Sequence, residues 1–456
     1  MAGIGFELRR LSRGETYTSL LRAYAYAGII GSGPWVLSIL AVLVLGLMSV
    51  GLVGESALIT QFQISVTWLI ALSLVYTGGL QLLFTRYVAD RLFDHQPERV
   101  VPNLIGLLLV TLTPALVLAA LAAFWLLPDT SVSYRLLMVI GFMLLCFAWI
   151  LTVLLSGLKQ YGAVLKLYAL GYTTAVCAGL WLRTWGLEGL LLGFVGGQAF
   201  LVMGMFTLIW REYPPAHLLE FDFCGRGRLH FWLLPAGLFF NAGVWVDKFM
   251  FWLWPESGER IIGALHASVI YDTPIFLAYF TIIPGMAVFL LRMEVDFVMA
   301  YDRYYEAVRK GGALSAIRHQ RDAMVLAARD GVLDILKLQG ITLLFLVAFG
   351  KQALAALGIS TLFAPQLVID SLGVMLQLLV MAALNILFYL DRTRSAALIT
   401  LVMLLSNAVL TPLSLWLGPF FYGYGFAAAM LITALAALAV ANRSLDRLNY
   451  ETFMLS

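Results

Sequence analysis

The residues with the most unusual chemistry for their surroundings lie in the stretch from Pro235 to Pro284. Four ionisable residues interrupt its two apolar runs, each of which is long enough to cross a bilayer: Asp247, Lys248, His266 and Asp272. Ionisable side chains inside membrane helices cost several kcal/mol unless they are paired or hydrated, so they often mark a proton or substrate path. The candidate chemistry is therefore the binding of a polar substrate by carboxylates within the membrane, or proton transfer by the same groups.

Asp247 and Asp272 are expected at nearly the same depth in the membrane. With a rise of 1.5 Å per residue, Asp247 lies roughly 12 Å from the end of its run and Asp272 roughly 18 Å from the start of the next one. A shared polar site or lumen is therefore one interpretation. The other is a structural ion pair with Lys248, Arg260 or His266. His266 is a candidate proton relay, or simply a hydrogen-bonded histidine near an interface.

Other polar residues inside apolar runs extend this inventory. The second run holds Gln61, Gln63, Ser65, Thr67, Ser73, Thr77 and Gln81, and the second half of the chain adds Asn241, Tyr271, Asp370, Gln377 and Asn385. Such a density of polar groups predicts the wall of a wet cavity, although hydrogen bonds between helices are the alternative. The residues predicted to line a substrate path are Asp247, Asp272, Glu55, Gln61, Gln81, Asn241 and Tyr271.

The composition excludes a water-soluble protein. The chain has 456 residues, of which 62% are hydrophobic and 12% are charged, and its mean hydropathy is +0.91. The apolar runs are continuous rather than alternating, which indicates an all-α polytopic membrane protein and not a barrel. Its three cysteines show no pairing or metal-ligand spacing and are interpreted as packing residues.

Twelve apolar runs of spanning length predict twelve transmembrane helices. They cover about residues 22–53, 56–85, 100–127, 133–156, 162–182, 187–210, 229–254, 261–291, 332–350, 365–390, 395–417 and 421–441. Because Lys and Arg accumulate in cytoplasmic loops, the 24 of 29 basic residues that fall on one side predict cytoplasmic N- and C-termini.

The polar segments predict two six-helix bundles, 18–210 and 229–456, joined by a cytoplasmic linker at 211–228. Residues 1–17 read as an interfacial amphipathic helix. The second bundle carries a cytoplasmic insertion at 293–331, which is expected to be helical on both sides of Gly311 and Gly312. Helix breaks are predicted at Pro34, Pro235 and Pro274, as in transporters built from repeats, unless proline is simply common in membrane helices.

Motifs for enzymatic chemistry are missing from the sequence. It has no phosphate-cradling GxxxxGK[ST] motif, no large cytoplasmic glycosyltransferase domain and no cluster with metal-ligand spacing. The sequence therefore favours a transporter over an enzyme, with no cofactor and no metal.

Four strings carry a resemblance to a known family. They are MAGIGFELRR at 1–10, LLRAYAYAGIIGSGPWVLSI at 20–39, YDTPIFLAYFTIIPGMAVFLLRMEVDF at 271–297 and the ending YETFML. The chain resembles the inner-membrane transporters of bacterial Pel exopolysaccharide systems, a polysaccharide transporter family of the MOP flippase superfamily. The resemblance covers the full length.

This resemblance implies a MATE-like fold, with two six-helix bundles around a central cavity, and a place in the bacterial inner membrane. It also implies export of a partly deacetylated, amino-sugar-rich biofilm polymer. The implied partners are the cytoplasmic glycosyltransferase PelF and the membrane proteins PelD and PelE. A lumen with more carboxylates than cations would suit a passenger that carries amino groups.

Two other functions remain open beside export. A cation-coupled antiporter of small amphiphiles would have the same architecture. A membrane scaffold that only recruits a glycosyltransferase would need the segment 293–331 but not the intramembrane carboxylates.

Overall fold

The apolar runs form long α-helices, as the sequence predicts. The computed structural model describes residues 24, 27, 28, 56–157, 161–225 and 230–454. The first six described helices are α1 (Ser56–Phe93), α2 (Val100–Leu126), α3 (Val132–Gly157), α4 (Tyr161–Leu182), α5 (Gly186–Glu212) and α6 (Leu233–Leu253). After a short hairpin follow α7 (Val269–Phe280), α8 (Ile283–Leu291), α9 (Val298–Arg309), α10 (Leu314–Ala356), α11 (Ala364–Tyr389), α12 (Thr393–Leu417), α13 (Tyr424–Asp446) and α14 (Leu448–Met454).

Within these residues, nine helical stretches are long and apolar enough to cross a membrane. One of them, Gly162–Glu212, holds two predicted spans, because α4 and α5 are separated only by a 3₁₀ turn. The prediction of an all-α polytopic membrane protein is confirmed, and the nine stretches of the described residues are compatible with about twelve spans. The predicted helix at 1–17, Pro34, Glu55 and nearly all of the predicted span 22–53 lie outside the described residues.

The described residues form two compact units. The first unit contains those up to Trp245 together with Phe251–Ser268, and the second contains Val246–Met250 and those from Val269 onward. Helix α6 thus contributes residues to both units. The predicted domain boundary at 211–228 stays a prediction.

In the first unit, α4 and α5 pack closely through small residues. A Cβ atom at Gly197 would lie 2.6 Å from the carbonyl oxygen of Gly171 and 2.5 Å from the Cβ atom of Ala175. No side chain fits at that distance, so glycine is what allows the two backbones to approach. Small residues play this part in membrane helices because lipid provides no hydrophobic force that drives helices together.

The predicted linker is partly fixed to the first unit. Asp222 accepts hydrogen bonds from Tyr87 at 3.2 Å and from Arg99 at 3.4 Å, and Asn103 donates to Glu220 at 2.9 Å. The backbone N–H of Phe223 donates to Asn103 at 3.2 Å. The segment around residues 220–224 therefore lies against the ends of α1 and α2.

A β-hairpin precedes α7 and corrects the predicted span 261–291. Strands β1 (Glu259–Ile262) and β2 (Leu265–Ala267) pair antiparallel around Gly263, whose φ of +55° suits a turn that most residues cannot adopt. The backbone N–H of Ala264 donates to the carbonyl of Leu126 at 2.9 Å. The membrane helix starts only at Val269, so the apolar residues before it belong to the hairpin.

The helix breaks predicted at Pro235 and Pro274 are not found there. Helix α7 continues through Pro274, and α6 accommodates Pro235 in its first turn. The interruption lies instead at Thr281 and Ile282, directly before Pro284 at the start of α8. Proline is tolerated in a first turn because the N–H groups there have no intrahelical partner.

Helix α10 has 43 residues and is about 64 Å long, roughly twice the thickness of a bilayer core. The predicted span 332–350 and the second part of the insertion 293–331 are therefore one continuous helix. The prediction of helices on both sides of Gly311 and Gly312 is confirmed, and Gly311 has a φ of +65°. Helix α11, surrounded by α7, α10 and α13, forms the core of this unit.

Candidate functional site

An ion pair lies inside the second unit, on the middle of α6. The Lys248 Nζ atom is 3.0 Å from Asp247 Oδ2 and 3.2 Å from Oδ1. Asp247 is 0% exposed and Lys248 is 5% exposed. Adjacent residues point about 100° apart on a helix, so the flexible lysine side chain bends back to reach its neighbour.

Two neutral residues complete the surroundings of the Asp247 carboxylate. The hydroxyl of Tyr271 on α7 donates to Oδ2 at 2.6 Å, and Asn407 Nδ2 on α12 donates to Oδ1 at 3.4 Å. Thr411 in turn donates to Asn407 Oδ1 at 2.8 Å, which fixes the orientation of the amide. These residues with Lys248 are called the Asp247 cluster below.

Lys248 also contacts aromatic side chains. Its Nζ atom lies 5.2 Å from the ring centroids of both Tyr279 and Phe426, within the range of cation–π attraction. The Tyr279 hydroxyl donates to Gln377 Oε1 on α11 at 3.1 Å. The ammonium group is thus enclosed by one carboxylate and two aromatic faces.

A second carboxylate, Asp370 on α11, is buried near this pair. It is 0% exposed, and its neighbour is the Gln366 side chain, although neither carboxylate oxygen makes a hydrogen bond of regular geometry within the described part of the chain. It interacts electrostatically with Lys248 and Asp247. Oδ1 lies against Gly423, whose φ of +86° and missing side chain leave room for the carboxylate.

Two carboxylates and one ammonium give this region one excess negative charge when all are ionised. Burying an unpaired charge is costly, so a proton or a monovalent cation at Asp370 would stabilise it. Among the described residues, no three His, Cys, Asp or Glu side chains are grouped so that they could hold a metal ion.

Only some of the predicted site residues come together. Tyr271, rather than Asp272, supplies the hydrogen bond to Asp247, and Asp272 is partly exposed. The structure shows for Asp247 the ion pair with Lys248 that the sequence left as an alternative. His266 lies in β2 and not in a membrane helix, with its Nδ1 atom 2.8 Å from the Ala264 carbonyl oxygen.

The polar residues of α1 and the start of α6 are mostly bonded within their own helices. Gln81 donates to Thr77 at 2.7 Å, and Asn241 donates to the Gly237 carbonyl at 3.0 Å. Ser65 donates to the carbonyl of Gln61 at 2.6 Å, while the Gln61 side chain is partly exposed. These bonds satisfy the polar groups without requiring water around them. Whether Gln61, Gln81 and Asn241 line a substrate path stays a prediction.

Sequence reasoning missed Asn407 and Tyr279. A signal for the first was present, because Asn407, Thr411 and Ser414 recur at helical spacing in an otherwise apolar run and so form a polar stripe on one face. Tyr279 had no such signal. A tyrosine in a membrane run is common, and only the fold places its hydroxyl beside Lys248.

The comparisons with solved structures give the fold. A MATE transporter in its bent conformation has a TM-score of 0.63 at 12% identity, over 98% of this chain and 97% of that chain. An outward-facing multidrug resistance MATE family transporter of the MOP superfamily gives 0.64 at 12%, over 93% and 96%. The MATE transporter ClbM in complex with Rb⁺ gives 0.57 at 14%, over 94% and 97%.

The family follows from the sequence as a whole. The family model described as "PelG: Putative exopolysaccharide Exporter (EPS-E)" matches residues 1–453. No curated protein sequence matches the chain. The match confirms the resemblance found in the four strings. The chain is thus a multi-pass membrane protein with the fold of MOP-superfamily transporters, and it belongs to the PelG family of exopolysaccharide exporters.

Proposed function

We propose that this protein moves a Pel-type, amino-sugar-rich exopolysaccharide from the cytoplasm to the periplasm across the bacterial inner membrane. It does so as a transporter, without chemistry on its passenger. The observation that carries the proposal is the family match, which covers residues 1–453. The likeness to multidrug transporters supports only the fold.

The charge of the second unit suits a cationic passenger. Its described membrane helices carry the carboxylates Asp247, Asp272 and Asp370, of which Asp247 and Asp370 interact electrostatically with each other and with Lys248. Asp272, which is partly exposed, is the carboxylate of this set most accessible to a passenger. Asp247 pairs with Lys248, so it contributes to transport by stabilising the helices around the substrate path rather than by contacting the passenger.

A glycosyltransferase such as PelF, together with PelD and PelE, is the proposed partnership. Helices α9 and α10 support it, because α10 exceeds a bilayer core by about 30 Å and its first half is strongly charged. This helical pair provides a surface outside the membrane on which a soluble enzyme could be held while its product enters the transporter.

Complementation of a strain that lacks the gene tests export. Asp247→Asn and Asp272→Asn are made singly and together, and secreted polymer is measured at matched amounts of membrane-inserted protein. We expect Asp272→Asn to reduce secretion and the double variant to reduce it further. Asp302→Asn, which removes an exposed carboxylate from α9, is the control. Full secretion by the double variant would argue strongly against a role of these carboxylates in transport.

The same strains separate an exporter from a scaffold. A scaffold would tolerate neutralised intramembrane carboxylates and fail when the charged residues of α9 and the first half of α10 are replaced. An exporter fails in both cases, but only the second set of variants loses recruitment of the glycosyltransferase to membranes.

Cation-coupled transport is a second candidate function, and Asp370 favours it. A buried carboxylate that has the Gln366 amide but no cation of its own among the described residues, close to a paired ammonium, is suited to exchange a proton or a monovalent cation. Proton- or sodium-gradient-driven efflux from vesicles would be lost in Asp370→Asn if the site couples transport. Unchanged gradient dependence in that variant would eliminate the site as a coupling carboxylate.

A further inference from the structure

The turn that follows α8 has a geometry that is often functional. Residues Arg292–Phe297 form a π-helical turn, which is less regular than an α-helix and tends to be retained at functional sites. Arg292 forms ion pairs with Asp296 at 2.7 Å and with Asp334 on α10 at 2.8 Å. The ion pair with Asp334 connects the π-turn to α10, and the two carboxylates neutralise the charge of Arg292.

The other carboxylate of the turn, Glu294, pairs with no cation among the described residues. Glu294 Oε1 accepts a hydrogen bond from Asn385 Nδ2 at 2.7 Å, and Oε2 accepts one from the Tyr389 hydroxyl at 3.0 Å. No lysine, arginine or histidine of the described chain pairs with it. Glu294 is only partly buried, so its charge is supported by two neutral donors and by solvent.

Asn385 adds a second acceptor that lacks a donor. Its Oδ1 atom is buried and has no hydrogen-bond partner within the described residues. Leaving such an atom unpaired costs about 1–3 kcal/mol. This oxygen is closed off from the surface, so the acceptor that a ligand with N–H or O–H donors can reach is the Glu294 carboxylate, which Asn385 holds in position.

Tyrosine rings lie beside these acceptors. The ring centroid of Tyr301 is 5.5 Å from that of Tyr389 and 4.6 Å from that of Tyr305. All three rings are partly exposed, whereas Phe297, 5.8 Å from Tyr389, is buried behind them. The rings thus form a small aromatic surface that is backed by the core and open on one side.

The nearby charges are mixed in sign. Asp391 and Arg392 both act electrostatically on Tyr305, with opposite effect. Their charges offset each other, so Glu294, which pairs with no cation of the described residues, makes a positively charged ligand more favourable than an anionic one.

We propose that Glu294, Asn385, Tyr301, Tyr305 and Tyr389 form a binding site for an amino-sugar unit of the exported polymer. This tyrosine site lies where α11 ends and α9 leaves the π-turn. The inference rests on the proposed function, since it takes its passenger from it. It adds a specific place where the polymer is held outside the Asp247 cluster.

The chemistry of an amino sugar matches each element of the site. The ammonium group donates hydrogen bonds to the Glu294 carboxylate, which Asn385 and Tyr389 hold in position. Charge-assisted bonds of this kind are roughly twice as strong as neutral ones. The apolar face of the pyranose ring covers a tyrosine ring, where the positive charge gains a cation–π contribution.

Titration calorimetry on the purified full-length protein tests the site, with a β-1,4-linked glucosamine hexamer as the probe. The fully N-acetylated hexamer is the comparison ligand, because it has the same rings without the charge. We expect the charged hexamer to bind about tenfold more tightly than the acetylated one. Equal binding of the two would overturn the assignment to an amino sugar.

Variants then locate the binding. Glu294→Gln is expected to weaken the charged hexamer about tenfold and to leave the acetylated one nearly unchanged. Tyr301→Ala is expected to weaken both, and Tyr301→Phe neither. Glu306→Gln, at an exposed carboxylate of α9 that pairs with Lys310, should bind as the wild type does. Wild-type binding by both Glu294→Gln and Tyr301→Ala would overturn the site.

Thermal unfolding of each variant separates binding from packing. If the tyrosines only pack α9 against α11, Tyr301→Ala lowers the unfolding midpoint and leaves affinity intact, which contradicts the proposal. A secretion assay distinguishes the proposed export function from the tyrosine site. If the wild type exports polymer and the variants bind the hexamers as the wild type does, the export function stands and the tyrosine site is refuted.

Discussion

Asp247 and Glu294 are both carboxylates on the helices of the second unit, yet they are stabilised in opposite ways. Asp247 is 0% exposed and has its own cation at 3.0 Å, with Tyr271 and Asn407 as further donors. Glu294 is partly exposed, and its hydrogen bonds within the described residues come from the neutral donors Asn385 and Tyr389.

The difference indicates which carboxylate is available to a ligand. A buried ion pair already has its charges matched, so bringing a third charge to it means breaking a strong contact in a low-dielectric interior. A carboxylate bound by neutral donors keeps its full charge and one open side. The sequence singled out Asp247 because burying a carboxylate costs free energy. That cost alone does not distinguish a carboxylate with a structural role from one that binds a ligand.

The largest expected effect is on the Asp247 cluster. Asp247→Asn leaves the Lys248 ammonium buried without its counter-ion, and we expect a loss of about 3–5 kcal/mol in the free energy of unfolding. SDS-induced unfolding in mixed micelles measures it. The double variant Asp247→Asn/Lys248→Met removes both charges and should recover most of the loss. A single variant as stable as the wild type would show that the pair is not structural.

Tyr271→Phe should have the next largest effect. It removes the 2.6 Å hydrogen bond to Asp247 and leaves the ring in place, so the expected loss is about 1.5–3 kcal/mol, as for bonds to charged groups. The same unfolding assay measures it. In the background of Asp247→Asn/Lys248→Met the loss should be smaller, since the acceptor is then neutral, and an undiminished loss would contradict the assigned bond.

Glu294→Gln should affect stability much less than Asp247→Asn. No cation is left unpaired, and the amide oxygen can still accept one of the two hydrogen bonds, so we expect a loss of about 1 kcal/mol. The comparison between the two carboxylates fails if this loss equals that of Asp247→Asn. The large effect of Glu294→Gln is expected in the binding of the glucosamine hexamer and not in stability.

The smallest effect is expected at the ion pair between Arg292 and Asp334. Both side chains are partly exposed, at 38% and 28%, so Asp334→Asn should cost about 0.2–1 kcal/mol. The loss should shrink in 1 M NaCl, where the Debye length is about 3 Å. A loss that is independent of salt would mean that Asp334 acts through packing against the π-turn rather than through charge.

The sequence predicted the features that depend on local composition. Apolar runs of spanning length, the helices on both sides of Gly311 and Gly312, and the transporter family are confirmed. These follow from patterns within 20 residues or from specific strings, so no knowledge of packing is needed.

The sequence did not predict features that depend on contacts between residues far apart in the chain. The run after Arg260 is apolar enough for a span, but its first residues form a hairpin that the Leu126 carbonyl and the Trp68 indole hold by hydrogen bonds. Likewise, Pro274 was predicted to break a helix, but α7 continues through it, and the helical structure is interrupted at residues 281–282, between α7 and α8. In the site, depth along a helix was predicted for Asp272 and Asp247, but rotation about the helix axis, which places Tyr271 there instead, was not.

Helix α10 has a mechanical consequence. It runs unbroken for 43 residues, and 11% of the residues in its most apolar window are buried in the protein, against 78% in the stretch Thr361–Tyr389 that contains α11. It contains no proline, the usual cause of a sharp kink, so its charged half and its apolar half are expected to tilt together. The ion pair between Asp334 and Arg292 joins this helix to the π-turn, so such a tilt would act on the turn that carries Glu294.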